Sequence, residues 1–398
     1  MRLLCGHCAD DSGSLRLVLC RLPVMRRLCT FIVPLCASFI IVVAWAGHEL
    51  PIYPSFYPHQ IDIHTLPPEQ APAALIDARL HAYVGHGVRF PGVLPDGVGT
   101  VESLGAYVMV RVNPQSSLAH EEASTCTATR AVIRAVAKGD VVLHPYPVTP
   151  LHGDYLYHVD LAEAEKAKIA GAPPIGDLKI KASGSIARSH PDWPATQADW
   201  DLEVLEVDAA DLIATRTRAT NGWISPAWVK TGWFHAEQLL ADTVRDPEQK
   251  QRTDTDLQSL MNRGFRDLAE RINLERDLVM ALTSGCHVVV AGYTVKREYF
   301  NDAFSAGVEN IGYDSITGLH SPMFLRTVKL RDFPWNGLLG LGIAAAPTAA
   351  WNPIGGMTDP FGRLMWAAIG DPALLPSPYD DGWMLNRIAD LPTNQGSK

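Results

Sequence analysis

The first long apolar run is residues 28–43, with Phe31, Ile32, Val33, Phe39, Ile40, Ile41 and Val42, directly after Arg26-Arg27. It closes on Ala44-Trp45-Ala46, the small-x-small pattern of a signal-peptidase site. A basic start, an apolar stretch and an Ala-x-Ala exit predict a secretory signal over residues 1–46, cut before Gly47. Met25 immediately precedes the basic pair and reads as the true start. The alternative is a start at Met1 with residues 28–46 kept as an inner-membrane anchor.

Beyond the run the pattern changes. Residues 47–72 hold six prolines, which forbid a long helix and predict an extended arm. Residues 73–84 suit a short helix. Residues 104–112 (LGAYVMVRV) are apolar on both faces and predict a buried strand. Ser117 is placed to cap a helix to about Lys138, closed by Gly139, with Cys126, Ile133 and Ala137 inward. Residues 141–143 resume a strand. Asp160 to Glu163 has the form of a capping box opening a helix that ends at Gly171. Residues 178–186 and 200–207 alternate as half-exposed strands, and 242–256 read as polar surface. From Leu257 to Leu282 apolar residues at helical spacing predict one long amphipathic helix. Residues 286–295 read as a buried strand, 323–330 as another, and the last 65 as an irregular cap rich in Trp, Gly and Pro.

This order of elements predicts an α/β or α+β fold, with mixed sheets, packed helices, a Pro-rich N-terminal arm and an irregular C-terminal region. The stretch at Pro173-Pro174 is the best internal boundary, separating an N-terminal part (47–173) from a C-terminal part (174–398).

Composition narrows the function. The chain has 398 residues, 47% hydrophobic and 19% charged, which is ample for a packed core. Its 34 basic against 43 acidic residues give a net charge of −9, which argues against nucleic acid as a partner. Loss of residues 1–46 would remove five of the seven cysteines and leave Cys126 and Cys286. In an oxidising compartment that pair predicts a disulfide.

Motifs for serine or zinc hydrolases, nucleotide loops and haem attachment are missing from the sequence. Gly340-x-Gly342-x-x-Ala345 resembles a dinucleotide fingerprint only formally, since Pro347 blocks the helix that must follow. It reads as a tight apolar packing turn. Two groups carry metal-ligand chemistry suited to zinc or copper. In the first, His48, His59 and His64 surround a short strand on which Gln60, Asp62 and His64 share a face. In the second, His152, Asp154 and His158 lie together, with Asp154, His158 and Asp160 on one face of an expected strand over 154–161. Trp223, Trp228, Trp233 and Trp335 are candidates to line a ligand cleft.

The reading that follows is an exported, soluble periplasmic ligand-binding or accessory protein. Its partner is a small molecule or another periplasmic protein, and no integral membrane domain remains after cleavage. The alternative is an exported metal-dependent hydrolase using the His/Asp groups.

Overall fold

The apolar segment 104–112 becomes the middle of a large mixed sheet. The computed structural model describes residues 56–386 and 388, apart from 138, 195–198, 218–225, 334, 348–358 and 371. The signal-like run, His48 and Trp223 lie outside the described residues. In chain order the strands are β1 (Gln60–Thr65), β2 (Ala82–Val84), β3 (Val98–Val112), β4 (Val141–Leu143), β5 (Ile180–Ala182), β6 (Leu202–Asp208) and β7 (Val288–Asn301). There follow β8 (Val308–Glu309), β9 (Lys329–Leu330), β10 (Leu338–Ile343), β11 (Leu374–Pro376) and β12 (Trp383–Leu385).

Eight of them form one sheet in the order β1-β10-β2-β7-β3-β6-β5, with β4 also paired to β7. β1, β10 and β2 run parallel, as do β5 and β6, while β7 is antiparallel to β2, β3 and β4. The fold is therefore mixed α/β. Residues on both sides of Pro173-Pro174 contribute strands to the same sheet.

Alternation along β3 explains why its sequence is apolar throughout. Leu104, Tyr107 and Met109 enter one core with Trp233, Phe234 and Leu278. Val108, Val110 and Val112 enter a second core on the other face, with Val132, Ile133 and Trp193. A strand buried on both faces has no polar period to show. The helix Glu122–Val136 covers the second face, and Cys126 on it is bonded to Cys286, with the two Cα atoms 5.0 Å apart. On the first face lie the helices Gly232–Leu240, Pro247–Met261 and Leu268–Leu282.

Several expected elements are corrected. The single helix over 257–282 is two, broken where Arg263 takes a φ of 54° and Gly264 follows. Asp267 restarts the chain by accepting from the Glu270 N–H at 2.9 Å. The polar run 242–256 is largely helical, because Asp246 caps it and Pro247 sits at its first position. Residues 323–330 form a helix, Pro322–Thr327, capped by Ser321, and only then β9. The strand expected over 178–186 stops at Ala182, since Gly184 takes a φ of 64° and opens a helix. Residues 154–161 form a short 3-10 turn and the start of the helix Val159–Ala170, with His158 rather than Asp160 at the N-cap. Gly340 and Gly342 lie inside β10 and not in a turn, against β1 and β2 on either side. Among the described residues no helix is long and apolar enough to cross a membrane.

Candidate functional site

A cavity of about 720 Å³ lies beyond the carboxyl ends of β2 and β10, where Gly85 and Ala344 leave the sheet. This is the position at which open α/β sheets leave room for ligands. Helix Pro360–Ile369 supplies Phe361 and Trp366 to its wall, and β3 supplies Leu104 and Gly105. The β3 wall depends on a bulge. Register with β7 shifts between Leu104 and Tyr107, the Ala106 N–H donates to Thr294 Oγ1 at 3.1 Å, and the Leu104 N–H donates to the Ser315 carbonyl at 2.8 Å. A Cβ at Gly105 would crowd the Lys296 nitrogen and Thr294, so glycine is what the bulge accommodates.

One buried carboxylate organises the polar part of this wall. Glu298, fully buried in β7, accepts from the Gly85 N–H at 2.9 Å and from the Leu319 N–H at 2.7 Å. Lys296 lies 3.5 Å from it and His320 Nδ1 3.6 Å. Burial alone would raise its pKa, but His320, Lys296 and the Leu319 N–H outweigh burial and hold it below the ordinary carboxylate value. With Nδ1 directed at Glu298, the other nitrogen of His320, Nε2, is buried and has no hydrogen-bond partner. Lys230 and Asp314, 3.9 Å apart, line this cavity and also a neighbouring one of about 260 Å³.

His152, a predicted ligand, is committed elsewhere. Its Nδ1 accepts from the Thr149 N–H at 2.9 Å, so Nε2 carries the proton and donates to the Tyr107 hydroxyl at 3.1 Å. Tyr107 in turn donates to His235 Nδ1 at 2.8 Å, and His235 Nε2 donates to the Val229 carbonyl at 2.9 Å. These tautomers follow from the backbone partners at the two ends. Burial holds His152 down to about 3, and burial followed by the neighbouring His152 holds His235 well below its usual value. Both rings are neutral.

Asp154 and His158, by contrast, meet, and they meet a residue the sequence reading did not select. One ligand-type atom from each of Asp154, His158 and Glu275 lies within 4.8 Å of the others, and all three side chains are buried. Asp154 accepts from the Gly232 and Trp233 N–H groups, at the start of the helix Gly232–Leu240. His158 Nδ1 contacts the Tyr146 hydroxyl at 2.9 Å, and Glu275 accepts from Arg271 Nε at 2.6 Å. Burial pushes Glu275 up to about 7, with Asp154 adding to the effect and Arg271 opposing it. Burial also raises Asp154 and lowers His158. The missed signal was legible: Glu275 occupies an inward position of an amphipathic helix, in step with Ile272, Val279 and Leu282. Asp160 stays at the surface, paired to Arg276 at 2.7 Å.

The remaining candidates are dispersed. His59 Nδ1 accepts from the Gly337 N–H at 3.2 Å, and His64 is exposed on β1, the edge strand. Trp228 and Trp233 pack with Phe234 in the first core, their own rings 6.2 Å apart. Trp335 is half exposed. The cavity is lined instead by Trp366 and by Val229 and Lys230, next to Trp228.

No protein-family model matches the chain, and no curated protein sequence does. Its backbone is similar over part of its length to three solved structures. NikZ from Campylobacter jejuni in complex with Ni(L-His) shares 14% identity at a TM-score of 0.32, covering 62% of this chain and 56% of that one. The oligopeptide-binding protein AppA from Bacillus subtilis shares 13% at 0.34, covering 66% and 58%. The periplasmic binding protein DppA from Helicobacter pylori shares 12% at 0.35, covering 67% and 56%. The chain thus spans less than two thirds of the length of each.

Proposed function

We propose that this is an exported protein that binds a small, mainly apolar organic molecule in the cavity beyond β2 and β10. The observation that carries the reading is a large, mainly apolar space with one buried ring nitrogen that has no partner, His320 Nε2, on a ring whose other nitrogen faces Glu298. An unpaired buried polar atom is costly unless something satisfies it, on the order of 1–3 kcal/mol. A ligand with an apolar body and one hydroxyl or amide group, either of which can donate or accept, fits that need. The signal-like N-terminus and the disulfide support export.

One preparation tests both parts. Protein recovered from exporting cells should have an intact mass that begins at Gly47, and small apolar alcohols and amides should shift its Trp366 emission and melting temperature. Ala367→Trp, which fills part of the cavity, should abolish the response without unfolding the chain. A wild-type protein that responds to none of them refutes the ligand reading, and a secreted chain retaining residues 28–46 refutes the processing.

A further inference from the structure

We propose that Asp154, His158 and Glu275 form a binding site for one divalent transition-metal ion, independent of the organic-ligand cavity. Three residues distant in sequence place one imidazole and two carboxylates within 4.8 Å of one another in the interior. Ligand bonds of about 2.0–2.2 Å place two donors at most about 4.4 Å apart, so a single ion would draw these three atoms slightly inward. Two of the atoms point to an occupant: His158 Nε2 and Glu275 Oε2 are buried and have no hydrogen-bond partner. Their residues are both fully buried, so water in the bulk cannot satisfy them.

The surrounding groups behave as a supporting layer. His158 can donate Nδ1–H to the Tyr146 hydroxyl, which fixes the ring and leaves the Nε2 lone pair free, as metal-bound histidines commonly require. The Gly232 and Trp233 N–H groups fix the Asp154 carboxylate while leaving it further lone pairs. Arg271 bridges Glu275 to Asp381, with contacts of 2.6 and 2.9 Å. Two carboxylates share that one guanidinium, Asp154 lies close to Glu275 as a third, and a divalent cation would neutralise the excess. A mixed nitrogen and oxygen donor set favours zinc or a neighbouring transition ion over calcium. Asp154 and Arg271 also line the cavity of about 260 Å³, the side from which an ion would enter. The other close group, Glu122 with Cys126 and Cys286, offers no such chemistry, because both sulfurs are in the disulfide.

The test uses the full chain, purified without an affinity tag, stripped with chelator and titrated with zinc chloride by calorimetry and elemental analysis. One ion per chain and a higher melting temperature are expected. Glu275→Gln keeps the side-chain volume and an acceptor for Arg271, and should weaken binding at least about tenfold, on the scale seen when metal-site partners are lost. Asp154→Asn should do the same, and His64→Ala should leave both stoichiometry and affinity unchanged. Metal-free melting curves of the variants separate a lost ligand from a lost fold. Wild-type protein that takes up no stoichiometric zinc, or a Glu275→Gln protein that binds as tightly as wild type, overturns the proposal in favour of a proton shared within the cluster.

Discussion

Tyr107 shows how one hydroxyl can settle the state of two histidines. Its oxygen receives the His152 proton while its own proton goes to His235, so a directed chain runs from the Thr149 N–H to the Val229 carbonyl. Tyr107→Phe removes the middle link, but His152 Nε2 and His235 Nδ1 already lie 3.1 Å apart, so the donor and the acceptor it leaves behind can pair directly. The expected loss is about 0.5–1.5 kcal/mol, the net worth of a hydrogen bond whose partners re-pair, read as a lower urea midpoint with an unchanged slope. The same residues set a pH dependence. In the folded chain both rings stay neutral, whereas in the unfolded chain they take up protons near the ordinary value of 6.5. Their contribution is therefore complete above about pH 6.5 and is lost as pH falls toward 3. In a Glu275→Gln background, which removes the opposing titration of a carboxyl held up at about 7, melting temperature should decline between pH 7 and 5, before Glu298 begins to titrate. That carboxylate is held below its ordinary 4.5, so its own contribution is lost only at more acid pH.

At the level of elements, the cavity wall is made where regular strands are interrupted. The bulge in β3 lets the loop after β8 cross at Ser315, and Glu298 in β7 ties that loop to the turn after β2. Glu298→Ala should free the Gly85 and Leu319 N–H groups together. Faster hydrogen exchange is expected at both amides, with weaker binding in the cavity. Glu298→Gln, which can still accept from one of them, should fall between. Exchange rates unchanged at both positions would show that backbone packing, and not the carboxylate, holds the two loops.

For the molecule as a whole, the covalent tie is the bond from helix Glu122–Val136 to the entrance of β7. It closes a loop of 160 residues, which in the chain-entropy account restrains the unfolded state by about 5 kcal/mol. Reduction should lower the urea midpoint accordingly, and alkylation of the denatured chain should modify Cys126 and Cys286 only after reductant. Two thiols modified without reductant would remove the bond and one support for export together.

What the sequence determined by itself was local and periodic. The two-faced apolar run of β3, the alternation of β1, the helix carrying Cys126 and the mixed α/β class all follow from side-chain period, which residues a few positions apart already encode. Boundaries were lost where a single backbone angle decides, as at Arg263 and Gly184, or where a capping side chain turned 323–330 from strand to helix. The site depended on distance. Asp154 and His158 were visible as ligand types, but only the packing of helix Leu268–Leu282 on the sheet brings Glu275 to them. The same packing takes His152 into a hydrogen-bonded chain and Trp233 into the core, so residues of equal chemical promise acquire different roles. A carboxylate's meaning rests on its neighbours and on how much water they exclude, and the fold supplies both.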